Sequence, residues 1–262
     1  MPNVSEVCEF LDQMAPVELA EDWDNVGLLV GRTDAAAQRI LTCLTLTPDV
    51  AQEAIDLQAQ LVVSHHPVLF RGAKAVSDQT SEGRMLLQLI ENKVAIYSAH
   101  TRFDSAVQGI NQRLAESFGL SDVVPIRRSE TLPELGSGRS GRLGEPTVLS
   151  RFLAVVREAC GASYVEYCGQ DDSQVNHVGV ACGSAAEFLN DAIAMGCDTF
   201  VTGEARFHSA LEARSRGVNL VLLGHYSSER PAMEWLAQEL AQRFPESEIS
   251  ASHVEQDPLR LG

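Results

Sequence analysis

Eight residues, Leu61-Val62-Val63-Ser64-His65-His66-Pro67-Val68, constrain this chain more than any others. Consecutive apolar residues after a helix-like segment predict a buried strand, because a strand covered on both faces has no polar side to show. Pro67 has no N–H to give to a ladder, so the strand should stop there and leave both imidazoles at its carboxyl end. In open α/β sheets that edge is where ligands bind. The remaining polar side chains are therefore worth reading by asking which could reach those two rings.

Apolar Val4, Val7, Phe10, Leu11 and Met14 recur at helical period, with Ser5 as the expected cap. Residues 39–46 are β-branched and apolar and predict a strand. Thr47-Pro48 should open the helix that leads to the double-histidine strand. Residues 71–84 are polar and predict an exposed loop, and residues 85–92 a helix. A second strand over 94–100 should end in His100, with a helix over about 106–118 beyond Asp104. Between 121 and 146 glycine and proline accumulate without periodicity, which predicts a glycine-rich connection at 125–147 joining domains at 1–124 and 148–262. The run from Gly136 to Arg142 lacks the lysine and the preceding apolar strand of a phosphate-cradling loop.

The second half repeats the grammar of the first. His66 stands eleven positions after Ile55, and Glu204 eleven after Ile193, each interval holding a turn and an apolar strand. Strand-like residues 94–100 and 219–225 both end in histidine, and a carboxylate follows four residues later: Asp104 in one case, Glu229 in the other. This predicts an α/β fold of two similar domains from an internal duplication, with mixed sheets flanked by helices. If the strand ends of the halves face each other, His65, His66, His100, Asp104, His225 and Glu229 converge.

Nitrogen and carboxylate donors without thiolates suit zinc, manganese, iron, cobalt or nickel. A pair of carboxylates could bridge cations about 3.5–4 Å apart, as in two-metal hydrolytic sites. His225 and Glu229, four apart, share a face if a helix begins early enough. His100 and His208 are candidates for ligands, or for hydrogen-bonding and acid–base groups beside the site, and Glu204 for a pocket carboxylate. His177 and His253 lie outside the repeat and are expected at the surface. Trp23 and Asn25 could line the pocket, but a core tryptophan with a turn asparagine is the commoner arrangement.

Composition narrows the function. A net charge of −16 with only sparse arginine clusters argues against nucleic acid. No stretch approaches the roughly 18–20 apolar residues of a membrane span, and Met1 to Glu6 has no signal-like pattern. Six cysteines without a Cys-x-x-Cys pair predict buried thiols in a reducing compartment, hence a cytoplasmic protein.

These motifs together resemble the NIF-three-like dinuclear metal-centre proteins, often labelled GTP cyclohydrolase 1 type 2 homologs. The resemblance rests on Trp23-Asp24-Asn25-Val26-Gly27-Leu28, Ser64-His65-His66-Pro67, His100-Thr101 with Asp104, Gly138-Arg139 with Gly141 and Leu143, Thr202-Gly203-Glu204 with His208, and Gly224-His225-Tyr226 with Glu229. It implies two divalent cations per chain, held at the interface of the domains by His65, His66, Asp104, His225 and Glu229, with the carboxylates bridging. It also implies a toroidal homohexamer, in the compact form without an inserted domain. Phe207 departs from the more polar or tyrosine-like residue usual before His208. The expected activity is hydrolysis by a metal-bound water, with His100 or Glu204 shuttling protons, and the family label suggests a GTP-like purine substrate. The rival expectation is a non-catalytic metal-binding, metal-delivery or regulatory scaffold, which an open coordination position would disfavour.

Overall fold

The computed structural model describes residues 1–72 and 74–260; Ala73 of the expected loop and the last two residues lie outside it. The chain divides into two compact units, one of Met1–Phe103 with Ala232–Gly262, the other of Asp104–Pro231.

The first unit is built on a five-stranded sheet in the order Gly27–Val30, Ala95–Ser98, Leu61–Ser64, Arg39–Cys43, Glu248–Ala251. Only Gly27–Val30 runs antiparallel to its neighbour; the other pairings are parallel. Leu61–Ser64 is buried at every position, as its apolar run requires. Leu41, Val62 and Ile96 pack against Val50 and Ala54 of the helix Pro48–Asp56 and Leu86 and Leu89 of the helix Ser81–Glu91. Each large side chain so buried contributes about 1.5–3 kcal/mol. Thr47 caps the first of these helices, its hydroxyl accepting from Val50 N, with Pro48 in the first turn.

Four expectations need correction. Asn3, not Ser5, caps the helix Val4–Met14: its side chain accepts from Glu6 N while the Glu6 carboxylate accepts from Asn3 N. That reciprocal pair satisfies two otherwise orphaned donors, which a serine already inside the helix does not. The exposed loop ends early, since Thr80 caps a helix that begins at Ser81. The strand expected to reach His100 stops at Ser98, and His100 opens the short helix His100–Ser105.

The fourth correction concerns residues 125–147, which form no connection between units. Arg139–Val148 is a ten-residue strand inside the second sheet, ordered Leu120–Val124, Arg139–Val148, Gln174–Ala181, Thr199–Thr202, Asn219–Leu222, Glu166–Cys168. The strand pairs on both sides, Gly141 lying opposite Val178 and Leu143 opposite Leu120. Buried Arg139 ties the stretch down by donating to the carbonyls of Ser105, Ala106, Gly136 and Gly138. Gln174–Ala181, Thr199–Thr202 and Asn219–Leu222 run parallel, and the outer strands are antiparallel. Phe200 and Leu220 pack with Phe188 and Leu189 to make this unit's core. The C-terminal residues belong to the first unit, where Glu248–Ala251 pairs with Arg39–Cys43.

Candidate metal centre

In the first unit the carboxyl ends of three adjacent parallel strands deliver the candidate side chains. Leu61–Ser64 ends in His65 and His66, held by His65 N donating to Cys43 O (2.9 Å) and His66 N donating to Leu44 O (2.8 Å). Ser98 Oγ donates to His65 O at 2.6 Å, and Ser64 Oγ to His66 O at 2.8 Å. The backbone of the histidine pair is thus tied on every side, and Pro67 turns the chain away.

The imidazoles of His65, His66 and His100 pack with ring centres 5.2, 5.4 and 5.7 Å apart. One nitrogen from each lies within 4.8 Å of the others. His65 is 2% exposed. Gathering three bases around one buried ring costs less if they share a cation than if they carry protons that repel.

Two anchors set the other rings. Thr45 Oγ1 pairs with His66 Nδ1 at 2.8 Å, and Asp24 Oδ1 with His100 Nδ1 at 2.7 Å. A ring held at Nδ1 by an oxygen partner is the usual arrangement for a histidine whose other nitrogen serves a metal. Asp24 Oδ2 accepts from Thr101 N (3.1 Å) and Thr101 Oγ1 (2.5 Å). Burial alone would raise the Asp24 pKa, but the bonds from His100 and Thr101 outweigh it and hold the carboxyl at about 2. His100 takes a left-handed backbone, φ +33°, a strained conformation for a residue with a Cβ. Asp24 and Thr45 received no role from the sequence, and Trp23 was expected in the core. Instead Trp23 is 58% exposed beside His100.

In the second unit, too, the donors stand at the carboxyl ends of parallel strands. Gln174–Ala181 leads to Cys182-Gly183, Thr199–Thr202 to Gly203-Glu204, and Asn219–Leu222 to Leu223-Gly224-His225. His225 and Glu229 span one short helix, as their spacing predicts, with His225 Nε2 to Glu229 Oε2 at 3.0 Å. His225 Nδ1 meets Glu204 Oε1 at 3.2 Å. Glu229 lifts the His225 pKa by hydrogen bonding, burial opposes it, and Glu204 adds to the lift, bringing the imidazole to about 9. Asp104 accepts at Oδ1 from the Cys182 thiol at 3.2 Å. Asn111 bridges the same pair, its Nδ2 donating to Asp104 O and its Oδ1 accepting from Cys182 N. Burial, then the Asp104 and Glu229 carboxylates, push the Cys182 thiol well above its ordinary range.

Gly183 makes room for this cluster. Its φ is +64°, and a Cβ there would stand 2.3 Å from Glu229 Oε1. Ser228 Oγ accepts from Gly183 N and donates to His225 O, locking the helix to the glycine turn. A polar cleft of about 700 Å³ opens beside Glu204, lined in part by Ser184, Asn190, Arg206 and Ser209. His208 sits on the exposed first turn of the helix Phe207–Arg216, its ring against Phe207, and is in neither cluster among the described residues. His177 is partly buried, bonded to Ser140 Oγ and Gly196 O, and His253 is exposed.

Fold and donors together define an α/β protein whose parallel strand ends carry histidines and carboxylates suited to a metal ion. Residues 2–258 match the family model of Duf34/NIF3 (NGG1p interacting factor 3), and the chain belongs to that family. It is 30% identical to a GTP cyclohydrolase 1 type 2 homolog of Clostridium perfringens, covering 99% of each chain. It is 32% identical to a protein NIF3 homolog of Schizosaccharomyces pombe, over 97% of this chain and 96% of that one. The crystal structure of a Bacillus cereus protein related to NIF3 shares the fold, with a TM-score of 0.92 at 23% identity over 100% of this chain and 99% of that one. No helix among the described residues is long and apolar enough to cross a membrane.

Proposed function

We propose that this protein binds two divalent cations through His65, His66, Asp104, His225 and Glu229 and uses them to hydrolyse a small-molecule substrate, a GTP-like purine nucleotide being the first to test. The observation that carries the reading is the trio of imidazoles, His65 buried and His66 and His100 partly so, with one nitrogen of each within 4.8 Å of the others. The donors are nitrogens and carboxylate oxygens, the set that zinc, manganese, iron, cobalt and nickel accept. Cations bound there would supply Lewis-acid polarisation and a nucleophile available at neutral pH.

The chain's own residues supply the rest. Asp24 fixes the His100 ring so that a proton held or released at its far nitrogen lies toward the cluster. Glu204, hydrogen-bonded to His225 and bordering the polar cleft, can orient that ring and take up a proton from solvent. The GTP suggestion comes from the name that the relatives carry. Assembly into a ring of six copies is part of the same proposal, and light scattering of the purified protein tests it.

The test of function is turnover. Protein reconstituted with each candidate metal is incubated with GTP and a panel of phosphoesters, with chelated protein and a His225→Ala variant as controls. Metal-dependent product that disappears in both controls supports a hydrolase. Stoichiometric metal without turnover of any substrate would instead favour the non-catalytic scaffold.

A further inference from the structure

Trp23 and Phe70 leave apolar surface in water beside the histidine trio. Trp23 is 58% exposed and Phe70 45%. Their rings meet edge to face at 5.8 Å, and each also meets the His100 imidazole, at 5.9 and 6.1 Å respectively. Whatever covers these two rings therefore lies against His100 as well.

The chain holds both rings in place. Asn25 Nδ2 donates to Leu69 O at 3.0 Å, tying the turn that carries Trp23 to the loop that carries Phe70. Leu69 has φ +59°, a left-handed backbone that costs a residue with a Cβ about 1–2 kcal/mol. Its N–H donates to Glu82 Oε1 at 3.3 Å, which helps to keep it there. On the other side of Trp23, Glu21 N donates to Thr101 Oγ1 at 3.1 Å, and Asp24 is locked to His100 and Thr101. A strained and cross-tied loop that turns an aromatic ring outward is a preorganised surface, not an unfinished core.

Size and chemistry select the occupant. Two rings are far less than the roughly 800 Å² per partner of a stable protein interface, and they match one bicyclic or monocyclic ring system. Aromatic faces reward a planar π-system beyond the area it covers. We propose that Trp23 and Phe70 form the wall that holds the planar heteroaromatic ring of the substrate beside the histidine cluster. This rests on the proposed hydrolytic site for its purpose, but ring binding is read in metal-loaded and chelated protein alike.

The experiment places Trp23 as the sole tryptophan in a Trp235→Phe background, since the chain has two. Trp23 fluorescence and calorimetry are followed in the full-length protein, metal-loaded and chelated, during titration with GTP and GMP, and with ribose 5-phosphate and tripolyphosphate as ring-free probes. The expected result is quenching by the guanine nucleotides only. Trp23→Ala and Phe70→Ala should each weaken their binding roughly tenfold or more, with Trp23→Phe recovering most of the loss and metal content unchanged throughout. Equal affinity in the alanine variants, equal binding of ribose 5-phosphate, or no binding of either nucleotide overturns the proposal. So does protection of Trp23 from acrylamide in ligand-free protein, which would mean that another copy of the chain covers the wall. Loss of bound metal in Phe70→Ala would likewise overturn it, by making the wall a support for the cluster. Nucleotide quenching that depends on both rings in a protein that binds no metal would sink the metal reading and leave the wall standing.

Discussion

Asp24→Asn tests the reasoning about the histidine cluster at a position outside the proposed ligands. The carboxylate is buried and accepts from Thr101 N, from Thr101 Oγ1 and, at 2.7 Å, from His100 Nδ1. Its pKa falls from an ordinary 3.8 to about 2, and at about 1.4 kcal/mol per unit this favours the ionised folded form by roughly 2 kcal/mol. Charged hydrogen bonds of this kind are worth about 1.5–3 kcal/mol each, and three on one group do not add in full, so the magnitudes agree. An amide of the same shape keeps an oxygen for Thr101 but turns an N–H₂ toward His100. The imidazole must then accept at Nδ1 and carry its proton on Nε2, the nitrogen that faces away from Asp24.

The expected cost is about 2 kcal/mol in urea unfolding of the chelated protein, with metal affinity about 10–100-fold weaker by calorimetry. The pH dependence has a definite sign. Because the folded pKa is depressed, the parent's extra stability is complete above pH 3.8 and is lost as pH falls through about 2, whereas the variant lacks this segment of the curve. A variant as stable as the parent, with unchanged metal affinity, would refute the claim that Asp24 orients His100.

Three further outcomes follow from the second unit. Gly183→Ala forces a Cβ into a left-handed backbone and against Glu229 Oε1, so thermal unfolding should show a loss of at least about 1 kcal/mol with weakened metal binding; a neutral substitution would contradict the crowding. In metal-free protein the raised His225 pKa contributes stability that is complete below pH 6.5 and lost as pH rises through about 9. Chelated parent should therefore lose stability across that window relative to His225→Gln, and parallel curves would count against the Glu229–His225–Glu204 contacts. The Cys182 thiol, buried and held protonated beside Asp104, should resist alkylation in the native protein, as mass spectrometry of digested samples can show; rapid labelling at Cys182 would contradict its placement.

Much of the site was legible because its determinants are local. An apolar run cut off by Pro67 announces a strand end, and four-residue spacing places His225 and Glu229 on one helical turn. What escaped depends on residues far apart in the chain. The Asp24–His100 bond spans 76 residues, and no spacing rule reaches that far. Glu248–Ala251 is short and half polar, and becomes a strand only because Arg39–Cys43 offers it an edge. The glycines of 136–144 read as a loop, yet buried Arg139 and pairing on both sides make that stretch sheet. Trp23 looked like core because tryptophan usually is; its exposure is set by ties from Asn25 and Asp24 that a composition argument does not see.

The most direct measurement is the metal content of protein purified without added metal, by elemental mass spectrometry, for the parent and for an Asp104→Ala, Glu229→Ala double variant. The account predicts about two divalent ions per chain in the parent, as a carboxylate-bridged pair requires, and nearly none in a folded variant. Equal metal in both proteins, or none in either, would contradict it.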